Sequence, residues 1–302
     1  MKRKFFKVLL GVFILANLGM AEYVKKDNEI YYKYGKEDDS GFKVENVDLN
    51  TFKILNDKYA KDDKSVYFLG NKSFEDVDIK TFEVLPNNYS KDKNNVYRPI
   101  NEWIRKINGA NPKTIKVLNE FYSKDDKNVY AAVDIIKGAD PQTFKEISGT
   151  NYARDKNNLY YYFGNVKNLG KINEKDFKVL DNDLVKNGNE IYYFGEKENI
   201  KNPEKFEIIK TSDDDEDILY GKDDKNVYVS RSKYKRLKVI ENADRDTFEV
   251  MKKDIRYSKD KNNIYFVSKS LYYDYDTYFE QDRIIKMKSA DKNSFVVEKN
   301  DF

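Results

Sequence analysis

The sequence predicts an all-β fold made of about eight tandem β-hairpin or meander repeats of 29–47 residues. Val, Ile or Leu followed by Tyr recurs eight times, and in seven copies another Tyr stands eight residues earlier. A base lies two positions after that earlier slot in every copy, and Asp follows the base in six. Such self-similarity is typical of repeat proteins whose units bury a shared core. The residues that end the eight copies are Tyr31, Tyr67, Tyr97, Tyr130, Tyr160, Tyr192, Tyr228 and Tyr265.

A second landmark, an aromatic or aliphatic residue in a stretch such as "KTFEVL", alternates with the first. Asp or Asn commonly stands four residues before it, in places followed by Pro, which predicts a single capped helical turn. The apolar residues that follow predict a short strand. The residues of this column are Phe52, Phe82, Ile115, Phe144, Phe177, Phe206, Phe248 and Phe295.

The stretches "YSKDKNNVY" (89–97) and "YSKDKNNIY" (257–265) predict hairpins closed by an Asp-Lys-Asn turn. In the first, we expect Asn95 to adopt the left-handed conformation that completes a three-residue loop. That register places Lys91 opposite Tyr97. Because side chains alternate along a strand, Tyr89, Lys91 and Tyr97 would share one face and form a cation–π cluster. The signature residues are Tyr89, Lys91, Asp92, Asn95 and Tyr97, and again Tyr257, Lys259, Asp260, Asn263 and Tyr265.

With about four short strands in each repeat, the chain is predicted to form an elongated, solenoid-like array. The alternative is a closed, propeller-like ring, since the chain begins with the hairpin half of a repeat and ends with the Phe half. The repeats are uneven and mostly shorter than the roughly 40 residues of a propeller blade, which favours the array.

The first 21 residues have the order of a secretory signal peptide: a basic start, an apolar run from Val8 to Leu18, and small residues at Gly19 and Ala21. The apolar run is shorter than the roughly 20 residues that a membrane-spanning helix needs. We therefore expect export to the periplasm, the cell surface or the medium, with residues 22–302 forming one repeat array.

Removal of this segment changes the charge of the chain. The full sequence has 56 basic and 53 acidic residues, or +3, and the segment carries four bases and no acid, which leaves 52 − 53 = −1. Nucleic-acid binding requires a basic footprint, so no nucleic-acid partner is expected. No other stretch is long and apolar enough to predict a membrane span in the mature chain.

The column pattern resembles the bacterial DKNYY family, most plainly in "YARDKNNLYYY" from Tyr152 to Tyr162. The resemblance covers essentially the whole mature chain. It implies a tandem-repeat protein and brings no catalytic residues with it. One column departs from the family pattern: the second Tyr is kept at Tyr32, Tyr161 and Tyr193 but is replaced elsewhere, as at Arg98, Ala131 and Val229.

The composition excludes several kinds of site. The chain has no His and no Cys, which argues against Ser-His-Asp and Cys-His catalysis and against zinc. No cofactor is expected. The acidic run "TSDDDEDIL" interrupts the repeat and is a weak calcium candidate without the spacing of an EF-hand loop. Its candidate ligands are Asp213, Asp214, Asp215 and Asp217.

Two aromatic insertions also interrupt the repeat. The stretch from Ser270 to Arg283 is a candidate binding loop, and packing over the last repeat is the alternative role. Trp103, in "INEWIRKING", is expected in a local core. The candidate binding residues are Tyr272, Tyr273, Tyr275, Tyr278 and Phe279.

These observations predict an exported, non-enzymatic repeat scaffold that binds an unknown protein or cell-envelope partner. A glycan-binding module that uses the loop tyrosines is the alternative. A hydrolase of envelope polymers is less favoured, because the recurring carboxylates stand in turns, where hydrogen bonds to the backbone explain them.

Overall fold

The computed structural model shows an all-β protein, as the sequence predicts. In the residues that it describes, 31 strands form eight small antiparallel sheets in tandem. The structure describes residues 22–34, 41–72, 76–209, 218–231, 236–274, 277–287 and 295. Residues 1–21 lie outside these ranges, so the signal peptide stays a prediction. Within them, no helix has the length and apolar character to cross a bilayer.

The described chain divides into two compact units, and the first is Met1–Ile135. It contains one three-stranded sheet, β1–β3, and three four-stranded sheets, β4–β7, β8–β11 and β12–β15. One 3₁₀ turn, Pro86–Asn88, precedes β9. The strands are β1 (Glu22–Lys26), β2 (Glu29–Lys33), β3 (Phe42–Lys43), β4 (Lys53–Ile54), β5 (Tyr59–Lys61), β6 (Val66–Phe68), β7 (Asn71–Lys72), β8 (Glu83–Val84), β9 (Ser90–Lys91), β10 (Val96–Ile100), β11 (Trp103–Lys106), β12 (Lys116–Val117), β13 (Tyr122–Lys124), β14 (Val129–Ala131) and β15 (Asp134–Ile135).

The second unit, Ile136–Phe302, contains four four-stranded sheets, β16–β19, β20–β23, β24–β27 and β28–β31. Two 3₁₀ turns, Glu174–Asp176 and Pro203–Lys205, occupy the predicted capped turns. The strands are β16 (Lys145–Glu146), β17 (Tyr152–Arg154), β18 (Asn158–Phe163), β19 (Asn165–Lys171), β20 (Phe177–Asp181), β21 (Leu184–Asn187), β22 (Glu190–Tyr193), β23 (Glu196–Lys197), β24 (Glu207–Ile209), β25 (Leu219–Lys222), β26 (Val227–Ser230), β27 (Lys238–Val239), β28 (Glu249–Val250), β29 (Tyr257–Lys259), β30 (Ile264–Asp274) and β31 (Thr277–Lys286).

Each four-stranded sheet is a meander whose first strand follows the Phe landmark. In the sheet β4–β7, Lys53 pairs with Lys61 across the first two strands, and Tyr67 pairs with Lys72 across the last two. The central hairpin carries the Tyr–base–Asp motif. The structure therefore joins the Phe half of a repeat to the hairpin half that comes after it.

The predicted hairpin register is wrong by one residue. Lys91 pairs with Val96, and Tyr97 pairs with Ser90, so Tyr97 lies on the face opposite to Tyr89 and Lys91. The turn is shorter than expected because the Asp92 N–H donates to the Asn95 carbonyl at 3.0 Å, and Asn95 is not among the described residues with positive φ. The expected Tyr–Lys–Tyr cluster does not form.

The two hairpins without Asp at this position close differently. Asp27 and Asn28 have φ of 49° and 60°, and Gly188 has φ of 61°. Positive φ at the centre of a two-residue loop matches the twist of paired strands, and Asn, Asp and Gly adopt it most readily. These tight turns preserve the register of the other hairpins, with Tyr23 opposite Tyr32 and Leu184 opposite Tyr193.

The core lies between successive sheets of each unit. On one face of the hairpin β5–β6, Ala60 and Tyr67 join a cluster with Tyr32 of the preceding sheet. On the other face, Tyr59 joins Phe82, which precedes the following sheet. A hairpin that lies between two other sheets therefore has two apolar faces. This is why adjacent strand residues of the motif, such as Tyr59 and Ala60, are both buried.

In several repeats the first Tyr of the motif links its sheet to the next sheet by a hydrogen bond. The Tyr59 ring is buried, and its hydroxyl donates to the Asn88 carbonyl at 2.7 Å. A buried phenol requires such a partner, because an unpaired hydroxyl in an apolar core is costly. Equivalent bonds run from Tyr23 to Lys58 (3.2 Å), from Tyr152 to Asp183 (3.2 Å) and from Tyr220 to Ile255 (2.8 Å).

We predict that Tyr59→Phe lowers the free energy of unfolding by about 1–2 kcal/mol, because the Asn88 carbonyl loses its buried donor. Urea unfolding of residues 22–302 measures the effect. The control is Tyr31→Phe, which removes a hydroxyl that bonds Glu29 within the same sheet and is expected to cost less than about 0.5 kcal/mol. Equal effects of the two substitutions would contradict the link between sheets.

Candidate functional site

The most elaborate polar cluster of the repeat surrounds the turn Asp. The Asp92 side chain is buried, and its Oδ1 accepts hydrogen bonds from the Asn94 and Asn95 amides at 2.7 and 2.8 Å. Its Oδ2 accepts bonds from the Asp78 amide at 2.9 Å and from the Tyr97 hydroxyl at 2.8 Å. One carboxylate thus closes its own turn, anchors the capped turn before the Phe strand, and holds the Tyr of the motif.

The same four bonds recur in all six repeats that carry this Asp. In each, two amides of the turn, one amide of the capped turn and one Tyr hydroxyl donate to the carboxylate. The equivalent carboxylates belong to Asp62, Asp125, Asp155, Asp223 and Asp260. The cluster is a repeated structural joint.

The electrostatics of this cluster keep the acid ionised. Burial alone would raise the pKa of Asp92, but the hydrogen bonds from the Asp78, Asn94 and Asn95 amides and the Tyr97 hydroxyl outweigh it, and the pKa lies below its ordinary value. Burial and the neighbouring carboxylate raise the pKa of Tyr130 in the equivalent cluster to about 12. An acid held ionised beside a phenol held neutral offers no group that exchanges protons near pH 7.

The base of the motif also contacts the next repeat. Lys61 Nζ donates to the carbonyls of Ile79 and Phe82 at 2.8 and 3.2 Å, at the end of the following capped turn. Lys91 donates to the Pro112 carbonyl at 3.0 Å and pairs with Glu83 at 2.8 Å. A cation favours free carbonyls at the end of a helical turn, which explains the base at Lys61 and Lys91. In other copies the base pairs with a carboxylate, as Lys222 does with Glu207 and Lys259 with Glu249.

The second Tyr column packs on the first. The ring centroids of Tyr23 and Tyr32 lie 4.8 Å apart, and Tyr32 approaches the following repeat so closely that a Cβ at Gly70 would lie 2.6 Å from the Tyr32 Cβ. Phe68 stacks on Tyr59 at 4.9 Å in the next sheet. Tyr161 and Phe266 occupy this column further along the chain, 4.7 Å from Tyr152 and Tyr257.

Arg98 takes the place of the second aromatic in the third sheet. Its guanidinium carbon lies 5.5 Å from the centre of the Tyr89 ring, and the residue is half-buried. A cation over an aromatic face gains electrostatic energy from the ring quadrupole. The contact explains how a charged residue enters this column.

Three outer hairpins are longer than the others, and we call them the arms: β10–β11 (96–106), β18–β19 (158–171) and β30–β31 (264–286). The last strand of each other sheet has only two residues, as in β7, whereas the last strands of the arms have 4, 7 and 10. Trp103 and Phe163 stand at the tips of the first two arms, 69% and 56% exposed. The expectation of a core position for Trp103 is therefore wrong.

The predicted binding loop is the third arm and not a loop. Tyr272 pairs with Phe279 and Tyr273 pairs with Tyr278 in one continuous antiparallel ladder. Tyr275 lies outside the described residues. Whether these aromatics bind a ligand stays a prediction.

The calcium candidates Asp213, Asp214, Asp215 and Asp217 also lie outside the described residues. In the part of the chain that the structure describes, no group of three or more acidic side chains has an arrangement that could hold a metal ion.

Phe295 packs on the last sheet, 5.7 Å from Tyr257. This contact repeats the one between Phe82 and Tyr59, at 5.9 Å. The Phe landmark that follows the last hairpin therefore packs on the first Tyr of that hairpin, as Phe82 does on Tyr59.

We predict that Asp92→Ala lowers the free energy of unfolding by roughly 2–4 kcal/mol, because four donors lose a buried acceptor. The matched control is Asp134→Ala at an exposed position of β15, expected within about 0.5 kcal/mol of the natural sequence. Chemical denaturation of both variants measures the difference. A loss for Asp92→Ala no larger than that of the control would contradict the structural role of the carboxylate.

The six carboxylates also predict the acid dependence of stability. Their folded pKa values lie below the unfolded value of about 3.9, so their contribution is complete above that pH and is lost as the pH falls through the folded pKa values. We expect the urea midpoint to change little from about pH 7 to 5 and to fall steeply below about pH 4. Asp92→Asn is expected to reduce that slope, and an unchanged slope would contradict the assignment.

Comparison with protein families adds the identity of the repeat. The model of the DKNYY family matches residues 23–164 and 122–269, in two overlapping stretches that together span most of the chain. Comparison with curated proteins found no match, and comparison with solved structures found none. The matched stretches contain all eight Tyr-to-Tyr motifs, from Tyr23 to Tyr265, and on this basis the chain belongs to the DKNYY family.

Proposed function

We propose that this chain is an exported, non-enzymatic scaffold whose arms bind a protein or cell-envelope partner. The observation that carries the proposal is the exposure of aromatic side chains at the arm tips, Trp103 and Phe163. Exposed aromatics held on rigid hairpins supply contact area with little loss of side-chain freedom on binding.

The repeat motif itself supports a scaffolding role. Its Asp accepts four internal hydrogen bonds, its first Tyr bonds the next sheet, and its base reaches the next capped turn. These polar groups are used in joining the repeats. Variation is then left to the outer hairpins, which is where repeat proteins commonly present binding residues.

Export is proposed from the composition of residues 1–21, a basic start followed by an apolar run and small residues. The absence of Cys requires that the exported chain be stabilised by packing and hydrogen bonds alone. Buried Tyr rings, several of whose hydroxyls donate to a carbonyl of the next sheet, meet that requirement in the described repeats.

A glycan-binding module is the second candidate, and the third arm favours it. The register places two cross-strand aromatic pairs, Tyr272–Phe279 and Tyr273–Tyr278, at the same end of this arm. Aromatic rings with polar edges suit the mixed apolar and hydroxylated faces of sugars. A hydrolase is the least favoured function, since a general acid needs a raised pKa and the recurring carboxylates have lowered ones.

The test is capture from the organism's own cell-envelope extract with residues 22–302 as bait. The arm variant carries Trp103→Ala and Phe163→Ala, and the control carries Ile135→Ala and Val179→Ala, two exposed apolar residues outside the arms. We expect a component retained by the natural chain and the control but not by the arm variant. It should bind the purified natural chain saturably.

Equal retention by all three baits would contradict arm-based binding. A parallel bait in which a short turn replaces Ser270–Arg283 separates the candidates. If a purified polysaccharide binds the other baits but not this one, the result would support the glycan-binding module.

A further inference from the structure

The first arm contains two cations without acidic partners. Arg98 on β10 stands directly opposite Arg105 on β11. In the part of the chain that the structure describes, no carboxylate pairs with either of them. Like charges directly opposite in a ladder destabilise a hairpin, and Arg remains protonated at all physiological pH values, so the pair is unfavourable by itself.

Arg98 carries a second cost. Its Nε and Nη1 atoms are buried and have no hydrogen-bond partner. A buried charged donor without an acceptor is more costly than a neutral one, and the column in which Arg98 stands accepts Tyr or Phe in other sheets. This position holds an aromatic in several sheets and Ala131 or Val229 in two others, whereas here it holds an incompletely paired guanidinium.

The exposed indole shares a face with this pair. Ile100 pairs with Trp103 two positions further along the same ladder, and residues two apart on a strand point to the same side. Arg98, Arg105 and Trp103 therefore lie on one face of the arm, with Trp103 69% exposed near its tip and part of the Arg98 guanidinium buried. We call this surface the Arg–Trp face.

We propose that the Arg–Trp face binds an acidic sugar unit of an envelope polymer. The carboxylate or phosphate of the unit would lie against Arg98 and Arg105, relieving their repulsion, and the sugar ring would pack on Trp103. Guanidinium groups favour these anions through paired N–H donors, and an indole supplies a broad apolar face. Two arginines on one hairpin suit a single anionic group, in contrast to the broad basic surface that nucleic acid requires. This inference deepens the proposed function and rests on it, since it names a ligand for one arm.

Trp103 is the one Trp of the chain, so its fluorescence reports on this face alone. The mature chain, residues 22–302, is titrated with polygalacturonate, with a poly(glycerol phosphate), and with the fully methyl-esterified galacturonate polymer as the uncharged control. We expect a saturable spectral shift with at least one anionic polymer and none with the ester. The two anionic polymers distinguish carboxylate from phosphate.

Two substitutions keep the test independent of folding. Arg98→Phe restores the aromatic of the column and is expected to retain or raise the urea midpoint while weakening binding about tenfold or more. Arg105→Gln changes an exposed residue and is expected to weaken binding similarly. Phe163→Ala, on another arm, should leave this binding unchanged.

Absence of a shift with both anionic polymers would overturn the inference, as would equal binding of the ester or undiminished binding by Arg98→Phe. Such a result, together with arm-dependent capture from the envelope extract, would leave the scaffold proposal standing and remove only the acidic ligand. If capture from the extract fails but polygalacturonate still binds, the acidic ligand of the Arg–Trp face stands and the scaffold proposal falls.

Discussion

A carboxylate removed from water must find other donors, and the repeat is organised around this requirement. Asp92 is buried at the point where a hairpin turn, a capped turn and a Tyr ring meet, and four donors replace its solvent. None of the three parts is stable alone, because a short hairpin and a single helical turn bury little surface. The shared acceptor fixes their relative positions, and the Phe strand and the aromatic core follow from that arrangement.

Among the described residues the largest fully buried side chains are all Tyr, which combines a large apolar ring with a donor at its far end. The hydroxyl of Tyr59, at the start of its motif, reaches a carbonyl of the next sheet, and the hydroxyl of Tyr97, at the end of its motif, reaches the turn Asp. A protein rich in charge and without Cys can bury these rings because many of their hydroxyls find a carbonyl or carboxylate acceptor, although the Tyr32 hydroxyl is buried without one. The two hairpins without the turn Asp compensate locally: Tyr31 and Tyr192 donate to Glu29 and Glu190 in their own sheets.

The sequence reveals the repeat, the hairpin, the capped turn and the Phe strand, because each depends on local chemistry that recurs. It does not reveal the hairpin register, since "DKNN" suits both a loop ending in left-handed Asn95 and a turn closed by the Asp92 side chain. The bond from Asp92 to the Asp78 amide joins residues 14 apart, and the same pairing recurs 14 to 16 residues apart in four other repeats. The turn Asp and the Asp or Asn that begins the capped turn recur together along the sequence, and this was the signal from which their contact could have been predicted.

The exposure of Trp103 is another feature that local patterns do not predict. The alternation of "VYRPINEWIRK" is that of a strand pair with one apolar face, but burial also depends on how far the neighbouring sheet extends, which only the fold determines. The same reasoning applies to the stretch 270–283, whose Tyr and Asp content suggests a loop although its backbone continues the hairpin.

Amide hydrogen exchange tests most directly whether the buried carboxylate organises the repeat. The Asp78, Asn94 and Asn95 amides lie in turns, where exchange is ordinarily fast, yet all three donate to Asp92. If the carboxylate is the organising acceptor, residue-resolved exchange near neutral pH will show these amides protected as strongly as the strand amide of Tyr97. Exchange as fast as in exposed turns, with the strand still protected, would contradict the account.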